Sequence, residues 1–173
     1  MSSQSGFPLD KAVLGFLMQG PAHGYALHER AEEELGRIWY MGMSNVYATL
    51  KDLERAGSVD ATLDDESYPP RKVYAITSQG KSAFLSWVRE PVLAMRDMRV
   101  EFLAKLYFFL GLGLDGLGAL LEAQASVCRG RLDELHEEAE ASRDSFEQLV
   151  TEFRRRRIEA SLAWLSVVRE GWG

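Results

Sequence analysis

Two pairs of basic side chains in the first half of the chain stand at spacings that would bring them to one surface. Lys51 and Arg55 are four residues apart in a segment of helical periodicity, and Arg71 and Lys72 open an alternating segment after a polar turn. Ammonium and guanidinium groups bind phosphate oxygens and the acceptor edges of guanine. The pattern therefore predicts contact with a nucleic acid.

Catalytic and metal-binding patterns are missing from the sequence. His23 and His28 are five residues apart and do not share a helical face, and His28 with Glu32 would supply two ligands where a metal site needs three or four. Cys128 is the only cysteine and is expected to behave as a small hydrophobic residue. No glycine-rich phosphate loop or nucleophile motif occurs. We expect no enzyme, no metal and no cofactor.

Composition sets wider limits on the class of protein. A net charge of -6 over 173 residues argues against indiscriminate nucleic-acid binding, although a local basic face can coexist with an acidic whole. A single cysteine excludes an intrachain disulfide and fits a reducing cytoplasm, and no secretory signal opens the chain. Residues 102–121 have bilayer length, but Lys105, Asp115 and four glycines interrupt them. We read two helices meeting at a turn and expect no membrane partner.

Apolar periodicity predicts three helices in the first 57 residues, at 9–19, 23–35 and 44–56. Ser44 is predicted to cap the third helix, and Gly57 stands where a left-handed residue would end it. This helix should have two faces. Its core face comprises Val46, Thr49, Leu50 and Leu53, and its outward face comprises Ser44, Ala48, Lys51 and Arg55, with Asn45 and Tyr47 on the flanks.

Period-two alternation over residues 59–63 and 72–77 predicts a hairpin whose two strands form the whole sheet. Thr77 or Ser78 should cap a fourth helix that ends near residue 90. Three helices followed by such a ribbon form a winged helix-turn-helix, which suits a major groove with flanking phosphates. We expect a DNA-binding domain over residues 1–90 of a mainly helical chain.

Residues 91–173 are predicted to form a helical, coiled-coil-like dimerisation domain. Residues 96–110 form a helix too apolar to stand exposed, which calls for a partner surface. Beyond Asp115, a predicted N-cap, a seam with four-three spacing runs over residues 121–139. The helix either continues to residue 153 or, as we prefer, breaks near residues 142–145, where Ser145 and Gln148 match a capping box. The predicted dimerisation residues are Phe102, Leu106, Phe109, Leu121, Leu132, Leu135, Leu149 and Trp164.

Four consecutive arginines, Arg154 to Arg157, form the most basic tetrapeptide of the chain. On a helix they would spread over all faces and form no single stripe. Glu152 and Glu159 stand at helical spacing from them. We therefore expect solvated or dimer-pairing side chains here, and no nucleic-acid contact.

Three motifs carry a resemblance to a known family. GPAHGYAL at residues 20–27, SNVYATLKDLERAG at 44–57 and PPRKVYAITSQG at 69–80 together resemble the PadR family of bacterial transcriptional regulators. The resemblance implies a winged-helix homodimer, usually a repressor, whose C-terminal helices build the dimer interface. The longer helical tail is similar to the branch that includes virulence activators.

Two features depart from the family pattern. Ala48 stands where the family commonly has proline, which removes a fixed kink and leaves the helix competent. The turn of the wing carries Asp64, Asp65 and Glu66, whose carboxylates would repel phosphates if they lay at its tip. The acidic turn and the negative net charge leave an alternative open, a protein-interaction module with a winged helix that does not bind DNA.

We predict a DNA-binding transcriptional regulator that acts as a homodimer on double-stranded DNA with a palindromic operator. Repression is favoured over activation. His23 and Tyr25 join the interface because the start of a helix can present backbone N–H groups to a phosphate. Members of the resembled family bind flat aromatic effectors, and four tryptophans leave such a ligand open with no residue assigned to it. The predicted DNA-contacting residues are Ser44, Asn45, Tyr47, Ala48, Lys51, Arg55, Arg71, Lys72, His23 and Tyr25.

Overall fold

The computed structural model of the chain describes residues 7–64, 70–141 and 144–172. Its first elements are α1 (Leu9–Leu17), β1 (Ala22–His23), α2 (Gly24–Leu35), α3 (Met43–Arg55), β2 (Val59–Asp64), β3 (Arg71–Ile76) and α4 (Ser78–Arg89). They are followed by a short 3₁₀ helix (Asp97–Arg99), α5 (Glu101–Leu112), α6 (Leu117–Ala141) and α7 (Ser145–Trp172). The fold is a winged helix-turn-helix followed by long helices, which confirms the predicted fold class.

Contacts between residues divide the chain into two compact units. The first unit comprises Met1–Arg89 and Arg99–Leu114, and the second comprises Glu90–Met98 and Asp115–Gly173. Helices α1 to α5 and the sheet therefore belong to the first unit, and α6 and α7 to the second. The functional division at residue 90 stays a prediction.

The core of the first unit is aromatic and includes α5. Phe108 is fully buried, and its ring meets those of Phe16 and Phe84 edge-on at 5.3 and 5.4 Å. Lys105, also buried, forms an ion pair with Glu101 at 3.1 Å. The helix expected to need a partner surface thus finds its partners within its own unit.

The packing of α5 within the first unit also corrects the prediction for three dimerisation residues. Phe102, Leu106 and Phe109 are buried inside the first unit. The expectation that they stand exposed on a single chain was wrong, because α5 turns its apolar residues toward the unit's own helices. Their contact with a second chain remains a prediction without that support.

Helix α3 has the two faces that its sequence predicts. Val46, Leu50 and Leu53 are buried. Its start differs from the prediction, since Gly42 occupies the N-cap and its carbonyl accepts hydrogen bonds from the N–H groups of residues 45 and 46 at 3.0 and 3.2 Å. Ser44 is consequently an exposed residue of the first turn and not the cap.

The end of α3 is a Schellman motif. Gly57 has a φ of 72°, as predicted for a left-handed residue, and its N–H donates to the Glu54 carbonyl at 3.1 Å. The N–H of Ser58 donates to the Leu53 carbonyl at 2.9 Å. This turn directs the chain from α3 straight into β2.

The sheet contains a strand that the sequence analysis missed. Its order is β1-β3-β2, all antiparallel, with Ala22 paired to Tyr74 and His23 to Val73. His23 was expected to open the second helix; it is the N-cap of α2, which begins at Gly24, and it also lies in β1. The acidic residues Asp65 and Glu66 of the wing turn lie outside the described residues, and Asp64 ends β2.

Helix α4 begins as predicted. The Thr77 hydroxyl accepts a hydrogen bond from the Gly80 N–H at 3.1 Å and donates one to the Gly57 carbonyl at 2.8 Å. Thr77 is therefore the N-cap, and it also joins α4 to the turn that follows α3. None of the helices in the described part of the chain is long and apolar enough to span a bilayer.

The second unit is built on an antiparallel pair of helices. Glu122 near the start of α6 pairs with Arg169 near the end of α7 at 3.5 Å, and Glu138 pairs with Arg154 at 3.2 Å. The preferred break between the two helices is confirmed. The cap, however, is Asp144, which accepts from the N–H groups of residues 146 and 147 at 2.9 Å.

The start of α6 differs from the prediction. The N-cap position belongs to Gly116 and not to Asp115, because the helix starts at Leu117.

The predicted dimerisation residues of the second unit differ in exposure. Leu121 and Leu135 are buried inside the unit, Leu132 is partly buried, and Leu149 and Trp164 are exposed. Arg155 pairs with Glu152 and Glu159, as the sequence indicated for the arginine tetrapeptide.

Candidate nucleic-acid interface

The outward face of α3 presents a continuous polar surface in the first unit. Packing of Val46, Leu50 and Leu53 into the core fixes the rotation of the helix and turns the opposite face to solvent. The exposed residues of this face are Ser44, Asn45, Tyr47, Ala48, Lys51 and Arg55. Because all six are exposed, each is accessible to a ligand, and all six are predicted DNA contacts.

A groove of about 620 Å³ joins three elements beside this face. It is formed by the β1–α2 junction, the flank of α3 and the start of β3. Its lining comprises His23, Gly24, Tyr25, Tyr47, Pro70, Arg71, Lys72 and Tyr74. Five of the predicted DNA contacts, at positions 23, 25, 47, 71 and 72, are thereby brought together in one place.

Close packing fixes Tyr47 in this groove. A Cβ atom at Gly24 would lie 2.6 Å from the Tyr47 ring, so only glycine permits the ring to approach the start of α2 this closely. Tyr74 lies at the other side of the groove on β3, where its burial raises the pKa of its hydroxyl. Tyr74 was missed in the sequence analysis, although it lies within the motif at residues 69–80 that carries the resemblance.

Hydrogen bonds hold the β1 side of the groove. The Nδ1 atom of His23 lies 3.3 Å from the Lys72 carbonyl oxygen. A hydrogen bond to the Glu29 carboxylate, one turn along α2, raises the pKa of Tyr25, and the negative charge of Glu29 adds to the effect. The Tyr25 hydroxyl therefore already donates its one proton to Glu29 and must release that carboxylate before it can donate to another anion.

Carboxylates already neutralise two of the four predicted basic contacts. Lys72 donates to both carboxylate oxygens of Glu54 at 3.1 Å, which raises the pKa of its ammonium group. Arg55 donates to Asp52 at 2.8 Å. Lys51 and Arg71 are exposed and make no ion pair with another residue in the described part of the chain.

This geometry suits an anion. Lys51 and Arg71, which pair with no carboxylate of the described residues, and the N-terminal end of α2 lie along the groove and the adjoining helix face. Within the described residues no group of histidine, cysteine, aspartate or glutamate side chains could hold a metal ion. A negatively charged polymer that reaches both α3 and β3 would satisfy all of these groups.

Sequence comparisons identify related proteins for both halves of the chain. Residues 13–86 match the "Transcriptional regulator PadR-like family", and residues 98–171 match "Virulence activator alpha C-term". The "Negative transcriptional regulator PadR" of Bacillus subtilis is 28% identical over 128 residues, which cover 73% of this chain and 70% of that protein. These are families of regulators, in agreement with the prediction that the chain is not an enzyme.

Solved structures of the same Bacillus subtilis protein are also similar to this chain. The crystal structure in complex with operator DNA is 24% identical, covers 94% of this chain and 98% of that chain, and has a TM-score of 0.49. The complex with p-coumaric acid is 25% identical, covers 95% and 97% of the two chains, and has a TM-score of 0.42. With the two matched regions and the three motifs in the same order, the chain belongs to the PadR-like family of DNA-binding transcriptional regulators and carries the virulence-activator type of C-terminal region.

Proposed function

We propose that this regulator is a repressor that acts as a homodimer on a palindromic operator, with α3 in the major groove and the wing, β2 and β3, on the flanking backbone. One observation carries the proposal. The two cations that no carboxylate of the described residues neutralises, Lys51 and Arg71, stand on the two elements that would meet a duplex.

Residues on α3 would read the bases. An asparagine side chain suits the paired donor and acceptor of adenine, and a lysine suits the acceptors of guanine. Asn45 and Lys51 are both exposed, and Ser44 and Ala48 on the same face are small enough to allow close approach of the helix. The proposal assigns base contacts to this set and a flanking contact to Tyr47.

Residues around the groove would hold the DNA backbone. The N-terminal end of α2 supplies donors for a phosphate oxygen, and Tyr25 can add one once it releases Glu29. Arg71 supplies a positive charge that no carboxylate of the described residues pairs with. Lys72 and Arg55 must exchange their carboxylate partners before they bind phosphate. We therefore assign them a smaller share of the affinity than Lys51 and Arg71.

The dimer would form through the second unit. Phe146, Leu149 and Phe153 are exposed at three- and four-residue spacing on α7, and Trp164 is partly exposed further along the same helix. Association of two such helices would bury this surface. A dimer on a palindromic operator would hold its two recognition helices on half-sites about 34 to 36 Å apart. We assign repression to this chain because the Bacillus subtilis relative is a negative transcriptional regulator. The proposal places the protein with the chromosome, in the cytoplasm, and a flat aromatic effector stays a prediction.

Single substitutions of Lys51 and Arg71 should separate their roles. The operator is first found by mapping the genomic sites that the full chain protects. Lys51→Ala is then expected to weaken operator binding by about 1 to 3 kcal/mol and to change which sequences bind best. Arg71→Ala is expected to weaken operator and scrambled duplex alike and to reduce the slope of affinity against salt by about one. Titration of both duplexes at several salt concentrations measures these effects.

Two matched controls come from α4 in the same unit. Lys81→Ala and Arg89→Ala remove the same charges from exposed positions outside α3 and the wing, and we expect wild-type binding from both. If the wild-type chain protects no genomic site, the proposal is wrong, and the alternative of a protein-interaction module that does not bind DNA replaces it. Equal losses in all four variants would mean that net charge alone governs binding.

Removal of the Glu54 carboxylate should strengthen binding. Glu54→Gln leaves Lys72 without its 3.1 Å ion pair, so the ammonium group can turn to a phosphate without losing a partner. We expect severalfold tighter binding at low salt with unchanged sequence preference, measured by the same titrations. Glu170→Gln, an exposed residue of α7, is the control, and weaker binding by Glu54→Gln would mean that the pair itself holds the wing in its binding position.

A further inference from the structure

The connection between α2 and α3 presents an aromatic ring to solvent. Tyr40 is 68% exposed, which makes it the most exposed large hydrophobic side chain in the described part of the first unit. Removal of such a ring from water is favourable. A surface that covers Tyr40 would therefore gain affinity from it.

Packing and a hydrogen bond hold this residue in place. The N–H group of Trp39 donates to the Leu35 carbonyl at 2.9 Å, and the Trp39 ring packs against that of Phe7 at a centroid distance of 4.5 Å. On the other side of Tyr40, Met41 is buried in the core. Because both neighbours of Tyr40 are anchored, its ring is presented from a fixed backbone.

The Tyr40 ring lies beside the first residues of α3. A Cβ atom at Gly42, the N-cap, would lie 3.8 Å from Cε1 of the Tyr40 ring and 4.0 Å from Nδ2 of Asn45. Apart from the chain neighbours of Gly42, no other atom of the described residues lies within 4 Å of that point. The ring and the amide therefore flank a small open space at Gly42, which we call the Gly42 notch.

The proposed function brings this notch to the edges of base pairs. The N-terminal residues of a recognition helix contact base edges in the major groove. Asn45 is exposed there, and an asparagine side chain suits adenine. The major-groove edge of an A·T pair also carries the C5-methyl group of thymine. An aromatic ring beside an amide that binds adenine is suited to cover this methyl group.

We propose that Tyr40 is a specificity-determining residue that contacts the C5-methyl group of an operator thymine. The thymine lies in or next to the base pair that Asn45 contacts, and its methyl group enters the Gly42 notch against the Tyr40 ring. The contact is apolar, so the ring supplies it and the hydroxyl is dispensable. This inference rests on the proposed operator binding by α3.

Replacement of thymine by deoxyuridine tests the contact one methyl group at a time. Deoxyuridine keeps the base pairing and the O4 acceptor and lacks only the C5-methyl group. Each thymine of one operator half-site is replaced in turn, and the affinity of the full chain is measured for each duplex. At one position we expect wild-type binding to weaken about fourfold, the effect of leaving one methyl group unburied.

Variants of Tyr40 assign the methyl group to its ring. Tyr40→Ala should bind the operator and the deoxyuridine duplex of that position equally, because the ring that covers the methyl group is gone. Tyr40→Phe keeps the ring and should keep the difference of about fourfold between the two duplexes. Leu110→Ala, a truncation at an exposed leucine of α5, is the control and should behave as the wild-type chain does.

Gly42→Ala tests the notch without a change at Tyr40. The added Cβ atom occupies the notch and should reduce the difference between the two duplexes. Its nearest listed neighbours would lie at 3.8 and 4.0 Å, which are ordinary van der Waals distances, so we expect the fold to be kept. Thermal unfolding of all four variants checks this.

Discussion

Replacing Phe108 with alanine is expected to lower the free energy of unfolding by about 3 to 5 kcal/mol. The ring is fully buried and meets Phe16, Phe84 and Trp87 at centroid distances of 5.3, 5.4 and 6.4 Å. A Cβ atom at Gly15 would lie 2.6 Å from it, so the residue of α1 that lies against the ring has no side chain to fill the space left behind. Denaturant titration at a fixed protein concentration measures the loss.

Leu110→Ala on the same helix is the control. Leu110 is 53% exposed, so its truncation should change stability by less than about 0.5 kcal/mol. The loss in Phe108→Ala should also be the same at all protein concentrations, since the ring packs within its own unit. A loss that shrinks as the concentration rises would instead place Phe108 at a dimer interface, as the sequence analysis expected of its neighbours on α5.

The sequence predicted those features that depend only on residues close together in the chain. The two faces of α3 follow from a period of 3.6 residues between Val46, Leu50 and Leu53, and this period operates before any tertiary contact forms. Gly57 could be recognised because its left-handed conformation is one that glycine adopts without strain. The outward-facing residues of the candidate interface were predictable for the same reason.

Features that depend on distant residues were not predictable in this way. Strand β1 has two residues, too few to show alternation, and exists because Ala22 pairs with Tyr74 fifty-two positions later. The burial of α5 depends on which helix face meets it, and composition alone could not distinguish its own unit from a second chain. The pairing of Lys72 with Glu54 likewise joins two elements. The sequence therefore suggested four equal cations, whereas among the described residues only Lys72 and Arg55 of the four pair with a carboxylate.

The predicted N-caps of α3 and α7 were wrong for a third reason, because two nearby residues at each helix start could act as the cap. Around the start of α3 both Gly42 and Ser44 can occupy an N-cap, and around the start of α7 Asp144 and Ser145 can do so. Propensity favoured serine at the first site, but the extended backbone of Gly42, with φ -66° and ψ 141°, places its carbonyl where the first turn needs it. Such choices move a helix boundary by one or two residues and leave its faces unchanged.

Leu149→Asp is expected to dissociate the proposed dimer and to weaken operator binding roughly 100- to 10,000-fold. The leucine is 68% exposed on the chain, so a carboxylate there meets water in the monomer but would lose its hydration in an α7 interface. Loss of the second half-site then removes the gain in affinity that two linked contacts provide. Light scattering at micromolar concentration and titration against the full operator measure the two effects.

The high exposure of Leu149 makes this result easy to interpret. Aspartate at a buried position such as Leu135 would unfold the second unit and abolish DNA binding for a trivial reason, whereas position 149 touches no core of its own chain. Leu110→Asp, a matched change at an exposed leucine of α5, should keep both the dimer and the affinity. A wild-type chain that scatters as a 19.5 kDa monomer would refute the dimer, and a Leu149→Asp dimer of wild-type affinity would move the interface away from this face of α7. If the subunits fold only together, the variant should also unfold more readily on dilution, because dimer stability depends on protein concentration.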